Sequence, residues 1–184
     1  PGLFSSGDSA SYSNSFHGAF CGGMHAGKAA ADYALATKKT ALDVPAVEDE
    51  LKLILAPLQR RNGIPYREVE DENRRIIMEF NGLSRTHEGL KLGLERSRKL
   101  QDRAASGLLA KDLHEVMRAN ETMSLLKFGE LSMEAALYRN ETRCHPFFHR
   151  EDYSDQDDRN WSGFVVVRKK EQGGSDVSFE PVTY

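Results

Sequence analysis

Asp8, His17, Cys21 and His25 are the side chains best able to do chemistry in the first part of this 184-residue sequence. They lie among Ser9, Ser11, Ser13, Ser15, Gly18 and the pair Gly22-Gly23. Small residues at this density let main chain approach a ligand closely. A helical pattern begins at Met24, so the stretch reads as a loop ending at a helix N-terminus, where unpaired N–H groups and the helix dipole attract negative charge. By composition alone the same stretch is equally a mobile loop. Asp8 follows a short strand-like run and can accept hydrogen bonds from hydroxyl groups; by type alone it is a plain turn acid. His17 could face a bound group or cap the loop. Cys21 could be an activated thiol at the helix start, although a small buried hydrophobe is the reading that its type favours. His25 has a ligand-facing and a packing reading of equal weight.

A second constellation lies at residues 141–161. Six acids and three arginines are interleaved there with His145, Phe147, Phe148, His149, Tyr153 and Trp161. His145 and His149 with Glu151 and Asp152 resemble a metal cluster only loosely. Ion pairs from Arg143 and Arg150 to Asp157-Asp158 are the favoured reading, and no metal is expected. No Cys-x-x-Cys occurs, and two cysteines, Cys21 and Cys144, are too few for a disulfide framework.

The elements that must position these residues follow from pattern. Leu3 to Ser6 reads as one strand stopping at Gly7, with no neighbour downstream before Phe164–Val167; a lone strand needs a partner outside this sequence. Met24 to Ala36 is helical and rich in alanine, which allows close packing. Residues 44–140 carry four apolar stripes: Leu51, Ile54, Leu55 and Leu58; Ile76, Ile77 and Phe80, with Gly82 as stop; Leu90, Leu94 and Leu100 after a Ser84 cap; and Leu113, Met117, Met123, Leu126, Met133 and Leu137 over about Lys111 to Asn140. Four stripes with short connections predict a helical bundle. Phe164–Lys169 and Ser175–Glu180, joined across Gly173-Gly174, predict a hairpin. The fold class is α+β, in three parts: 1–40, 41–140 and 141–184.

Composition narrows the function. Lys and Arg number 25 against 28 Asp and Glu, a net charge of −3, which leaves no cationic face for nucleic acid. Hydrophobic residues are 39% of the chain, below a typical domain, so part of it leans on a partner or cofactor. No apolar run is long enough to span a bilayer, and no signal-peptide pattern opens the sequence. Cysteine usage predicts a reduced, cytoplasmic compartment.

Certain motifs carry a resemblance. Gly2-Leu3-Phe4-Ser5-Ser6-Gly7-Asp8 resembles the last FAD-contacting strand of the fumarate reductase and succinate dehydrogenase flavoprotein family, which includes adenylylsulfate reductase and aspartate oxidase. His17-Gly18-Ala19 followed by Gly22-Gly23 is similar to that family's HGAxRxGG segment. Glu141-Thr142-Arg143, then Arg150-Glu151-Asp152-Tyr153, Asp157-Asp158 and Trp161, look like its carboxy-terminal signature, ESRGxHxREDYPxRDDxxW. The resemblance covers about residues 1–161, and the tail is its most specific part.

It implies that 1–40 is the end of an FAD-binding α/β domain, 41–140 a helical bundle, and 141–184 a signature tail with a hairpin. It implies FAD as cofactor, with Gly7, Asp8, Gly22, Gly23 and Met24 beside it and His17 as catalytic residue. A dinucleotide fingerprint is absent from this sequence, so the expected partner is an amino-terminal FAD-binding chain, with this one as a split subunit or a cleaved or truncated product. An iron–sulfur electron-transfer subunit is the further partner implied, and any attachment at the inner membrane would be through partners. The sequence departs from the pattern at three places. The family's substrate-binding Arg is replaced by Phe20-Cys21, the Gly after the ESR element by Cys144, and the tail's Pro and Arg by Ser154 and Gln156. A non-catalytic helical assembly module docked to a larger redox enzyme is the alternative.

Overall fold

The computed structural model describes residues 3–5, 15–39, 41–144, 147–170 and 173–182. The chain divides into two compact units, Pro1–Val47 and Glu48–Tyr184.

The first unit is built on α1 (Ser15–Ala36). This helix starts nine residues before the predicted Met24. Glycine lowers helix propensity by about 1 kcal/mol against alanine but does not remove the N–H as proline does. Gly22 and Gly23 are therefore carried inside the hydrogen-bond ladder. Leu3–Ser5 belong to no strand, and Ser6, Gly7 and Asp8 lie outside the described residues. Phe4 packs edge to face on Tyr33, ring centroids 5.8 Å apart. Phe16, Phe20 and Met24, spaced by four along α1, are exposed.

The division falls in the first turn of α2 (Val44–Gln59). There follow β1 (Ile64–Pro65), α3 (Tyr66–Phe80), β2 (Ser84–Arg85), α4 (His87–Gly107), β3 (Leu108–Leu109), α5 (Leu113–Tyr138), β4 (His149–Arg150), α6 (Asp158–Trp161), β5 (Gly163–Lys169) and β6 (Ser175–Pro181). The core lies between α3, α4 and α5, where Val69, Ile76, Phe80, Leu90, Leu94, Leu100, Ala104, Ala119, Leu126, Met133 and Ala136 are buried together. Gly93 lets α4 approach: a Cβ there would stand 2.6 Å from the Phe80 Cβ and 2.9 Å from the Met133 sulfur. Two parallel two-residue pairs, β1 with β3 and β2 with β4, stitch the helix ends.

Two stripes differ from expectation. In α2, Leu51, Ile54 and Leu58 stay exposed and only Pro57 is buried. This helix joins the unit through its last turn, where the Pro57 carbonyl accepts from the Ala110 N–H at 3.0 Å. In α5, Leu113 and Met117 are exposed, while Val116, Ala119, Thr122, Leu126, Gly129, Met133 and Ala136 are buried. Steps of three and four place these on one helical face. Small residues there permit close packing, so counting large apolar residues alone shifts the stripe by one position. One cap moves: Thr86, not Ser84, accepts from the Gly89 N–H at 3.0 Å. α3 ends at Phe80 with Asn81 as its C-cap, immediately before the Gly82 stop.

The hairpin is as predicted. β5 and β6 pair antiparallel from Gly163 opposite Pro181 to Lys169 opposite Ser175. Gly173 and Gly174 take φ of +90° and +79°, the left-handed region open to glycine at no cost. Trp161 is the hinge pin, edge to face with Tyr138 at 5.9 Å and Phe179 at 5.4 Å. Among the described residues no helix is long and apolar enough to cross a membrane.

Candidate functional site

The residues read as cofactor-contacting fall in the first unit. Gly7 and Asp8 lie outside the described residues. His17 is the third residue of α1, and its side chain also lies outside what the structure describes. Gly22, Gly23 and Met24 follow on the same helix, two turns from its start. Their N–H groups are spent within the ladder, and the unpaired donors of this helix belong to its first turn, Ser15–Gly18. Among the described residues, nothing stands within 4 Å of where a Cβ would be at Gly23 and Gly27. Cys21 is exposed on α1 rather than buried.

The 141–161 constellation is drawn together in the second unit. Arg150 is fully buried at the β2–β4 pair. Its Nη1 donates to the carbonyls of Ala136 at 2.6 Å and Arg139 at 2.7 Å, the open end of α5. Its Nε and Nη2 form a two-point pair with Asp152 at 2.9 and 3.0 Å. Asp152 also takes the His87 N–H at 2.7 Å, so one carboxylate holds the arginine and caps α4. The bond from Arg150, with help from His87, holds the Asp152 carboxyl below its ordinary value despite burial. Glu141 is fully buried as well and binds Arg139, Arg143 and the Asp157 N–H. Thr142 Oγ1 accepts from the Arg150 N–H at 2.8 Å and donates to the Tyr153 carbonyl at 2.8 Å.

The expected ion pairs are thus half right. Arg143 does reach Asp158, at 2.8 Å, but Arg150 pairs with Asp152, and Asp157 instead caps α6 by accepting from the Asn160 N–H at 3.1 Å. An arginine two residues from a carboxylate across a tight turn reaches it more easily than one seven residues on. The charges of Glu141, Arg143, Arg150 and Asp152 are matched within the cluster. It is a clamp fastening the tail to α4 and α5. His145 lies outside the described residues, and among those described no three His, Cys, Asp or Glu gather to hold a metal.

A family model described as fumarate reductase flavoprotein C-terminus matches residues 70–184, which includes this clamp. The chain belongs to that family. No curated protein sequence matches. Among solved structures, adenylylsulfate reductase from the hyperthermophile Archaeoglobus fulgidus is similar at a TM-score of 0.85 and 24% identity, over 91% of this chain and 29% of that one. E. coli quinol fumarate reductase is similar at 0.73 and 22%, over 92% of this chain and 30% of the other. The Mycobacterium smegmatis Sdh1 complex is similar at 0.75 and 25%, over 86% and 28%. This member of the family therefore spans about three-tenths of the length of the solved chains that it resembles.

The family signature places a glycine where this chain has Cys144. Here Cys144 adopts φ +55°, the only described non-glycine residue with a positive value. That φ lies in the left-handed region that favours glycine, and the Cys144 side chain there is exposed. Sequence reasoning missed Glu141 and Asp152 as the pivots of the cluster. The signal available was their spacing, each two residues from an arginine. Arg85, across the short parallel pair from Arg150, was also missed; an isolated arginine after a helix stop carries no local pattern.

Proposed function

We propose that this chain is the carboxy-terminal part of an FAD-dependent oxidoreductase, completing the isoalloxazine and ribityl side of the FAD site against an amino-terminal FAD-binding polypeptide. The observation that carries the reading is the bare surface of α1. Among the described residues, Gly23 and Gly27 have no neighbour that requires the missing side chain, yet each costs helix stability against alanine. A helix face kept bare at that expense suits a group approaching from outside. Membership in the flavoprotein family supports FAD as that group.

FAD, when bound, supplies the hydride chemistry. This chain's own residues would bind and orient it. Asp8 accepts hydrogen bonds from ribityl hydroxyls, and Gly7 gives the backbone room to turn beside it. Gly22, Gly23 and Met24 form the surface on which the ring system rests. The unpaired N–H groups in the first turn of α1 offer donors, with a favourable dipole, to the ring edge where negative charge settles. His17, in that turn, holds or moves a proton on the substrate side. Phe16, exposed within this chain, then sheds water against the partner. An iron–sulfur subunit is the proposed electron partner.

The test is co-expression with the amino-terminal polypeptide, followed by the visible spectrum of the purified complex. A stoichiometric flavin band is expected. A stable but colourless complex would replace this reading with that of a non-catalytic assembly module, which the loss of a guanidinium at Phe20-Cys21 favours.

A further inference from the structure

In the second unit, β2, α5, the segment before β4, and β5 enclose an open concavity of about 400 Å³. Arg85, Ser132, Arg139, Phe148, Gly163 and Phe164 line it. Arg139 is spent on Glu141 and on the carbonyls of Trp161 and Gly163. Arg85 is not. Its Nε donates to the Gly82 carbonyl at 2.7 Å, and its guanidinium lies on the Phe148 ring, 4.4 Å from the centroid. Its two terminal nitrogens have no protein acceptor among the described residues.

Among the described arginines that are not exposed, this sets Arg85 apart. Arg118, Arg139, Arg143 and Arg150 each bind a carboxylate, and Arg60 gives both terminal nitrogens to carbonyls. Burial lowers the Arg85 pKa, and the like charge of Arg150 adds to it; no carboxylate offsets them. A half-buried cation without a counter-charge is costly. A guanidinium held over a ring, with two terminal donors unpaired among the described residues, matches a planar carboxylate. Ser132 Oγ accepts from Asn81 at 2.9 Å and keeps its own hydrogen to donate. Phe164, 67% exposed, supplies an apolar wall beside these donors.

We propose that this concavity is a docking site for a polypeptide segment presenting an Asp or Glu carboxylate beside an apolar side chain. The carboxylate pairs with the terminal nitrogens of Arg85, and its apolar neighbour packs on Phe164. The inference concerns the second unit only and does not depend on the flavin reading.

The experiment is a titration of the full chain, followed by amide and arginine side-chain NMR signals. The probes are acetyl-Leu-Glu-Leu-amide, its Leu-Gln-Leu counterpart, and acetate. The Glu peptide should shift Arg85, Phe164 and Val165 signals and bind about tenfold more tightly than the Gln peptide, the worth of one charge-assisted pair. Arg85→Gln should abolish that difference, and Arg85→Lys should retain part of it. Phe164→Ser should weaken both peptides equally. Equal binding of the two peptides to the unaltered chain overturns the proposal, and needs no variant to fold. So does acetate saturating the same signals at the Glu peptide's concentration, which would mean a small-anion site only.

Discussion

Glu141 and Arg143 form a two-point ion pair: Arg143 Nε donates to Oε1 at 2.6 Å and Nη2 to Oε2 at 3.0 Å. The same carboxylate accepts the Asp157 N–H at 2.8 Å and the Arg139 guanidinium. One fully buried side chain thereby ties the end of α5 to the start of α6. Burial pushes the Glu141 carboxyl up, but the bonds from Arg143, Asp157 and Arg139 outweigh it and leave it below the ordinary 4.5.

Glu141→Gln should therefore destabilise the second unit by about 3–5 kcal/mol, because Arg139 loses its counter-charge in a buried place and Arg143 keeps only Asp158. The pH dependence follows from the direction of the shift. A carboxyl lowered on folding contributes stability that is complete above its unfolded value, near 4.5, and is lost as pH falls through the lower folded value. Urea midpoints of the unaltered chain should fall in acid below that point, and those of the variant should fall less. A variant within 0.5 kcal/mol of the parent, a limit of roughly the size of an ordinary surface change, would show that Arg143 is satisfied by Asp158 alone.

Cys144 holds φ +55°. An L side chain in the left-handed region costs roughly 1–2 kcal/mol, part of which glycine repays in unfolded-state entropy. Cys144→Gly is expected to raise stability by about 0.5–1 kcal/mol, measured by thermal or urea unfolding under reducing conditions. A loss of stability would mean that the exposed thiol makes a contact worth more than the backbone strain.

Two glycine-to-alanine changes should have opposite signs. At Gly93 the new methyl would meet Phe80 and Met133 within 3 Å, and overpacking a closed core costs about 1–3 kcal/mol. At Gly23 nothing among the described residues lies within 4 Å of a new methyl, so helix propensity gains up to about 1 kcal/mol in the chain by itself. In the reconstituted complex, however, Gly23→Ala should lower flavin retention on gel filtration. A variant that is both more stable and fully loaded with flavin would remove α1's bare face from the cofactor site.

The sequence was legible where one physical rule governs a segment. The hairpin needed only alternating β-formers around two glycines, and Leu90, Leu94 and Leu100 needed only helical spacing. It was misleading where two rules compete. Gly22-Gly23 resembles a break, yet the surrounding alanines extend the ladder through it. α5 buries small residues that hydrophobicity counts pass over. The leucines of α2 have the right spacing, but Leu51, Leu53 and Leu58 stay exposed. In the tail, residue types were legible as a clamp, while the partner of each arginine depended on a turn whose path no local pattern fixes.

Asp8 and the pair Phe20-Cys21 set the remaining expectations for the proposed enzyme. Asp8→Ala in the reconstituted complex should weaken FAD retention by on the order of 1–3 kcal/mol, the loss of two hydrogen bonds at most. The substrate is constrained by what α1 presents. Phe20 is 65% exposed on this chain, Cys21 is exposed beside it, and no arginine occurs before Arg60. Neither residue can pair with a carboxylate. A missing bidentate contact costs about 2–5 kcal/mol, roughly 30- to several-thousand-fold in binding. The expected outcome is weak or absent succinate–fumarate turnover in the intact complex, with an artificial electron carrier as the assay. A larger or less charged substrate, flat against the flavin, suits the aromatic surface better, and His17→Asn should abolish turnover of it. Rapid fumarate reduction, inhibited by malonate, would mean that the amino-terminal polypeptide supplies the guanidinium and that Phe20-Cys21 does not set specificity.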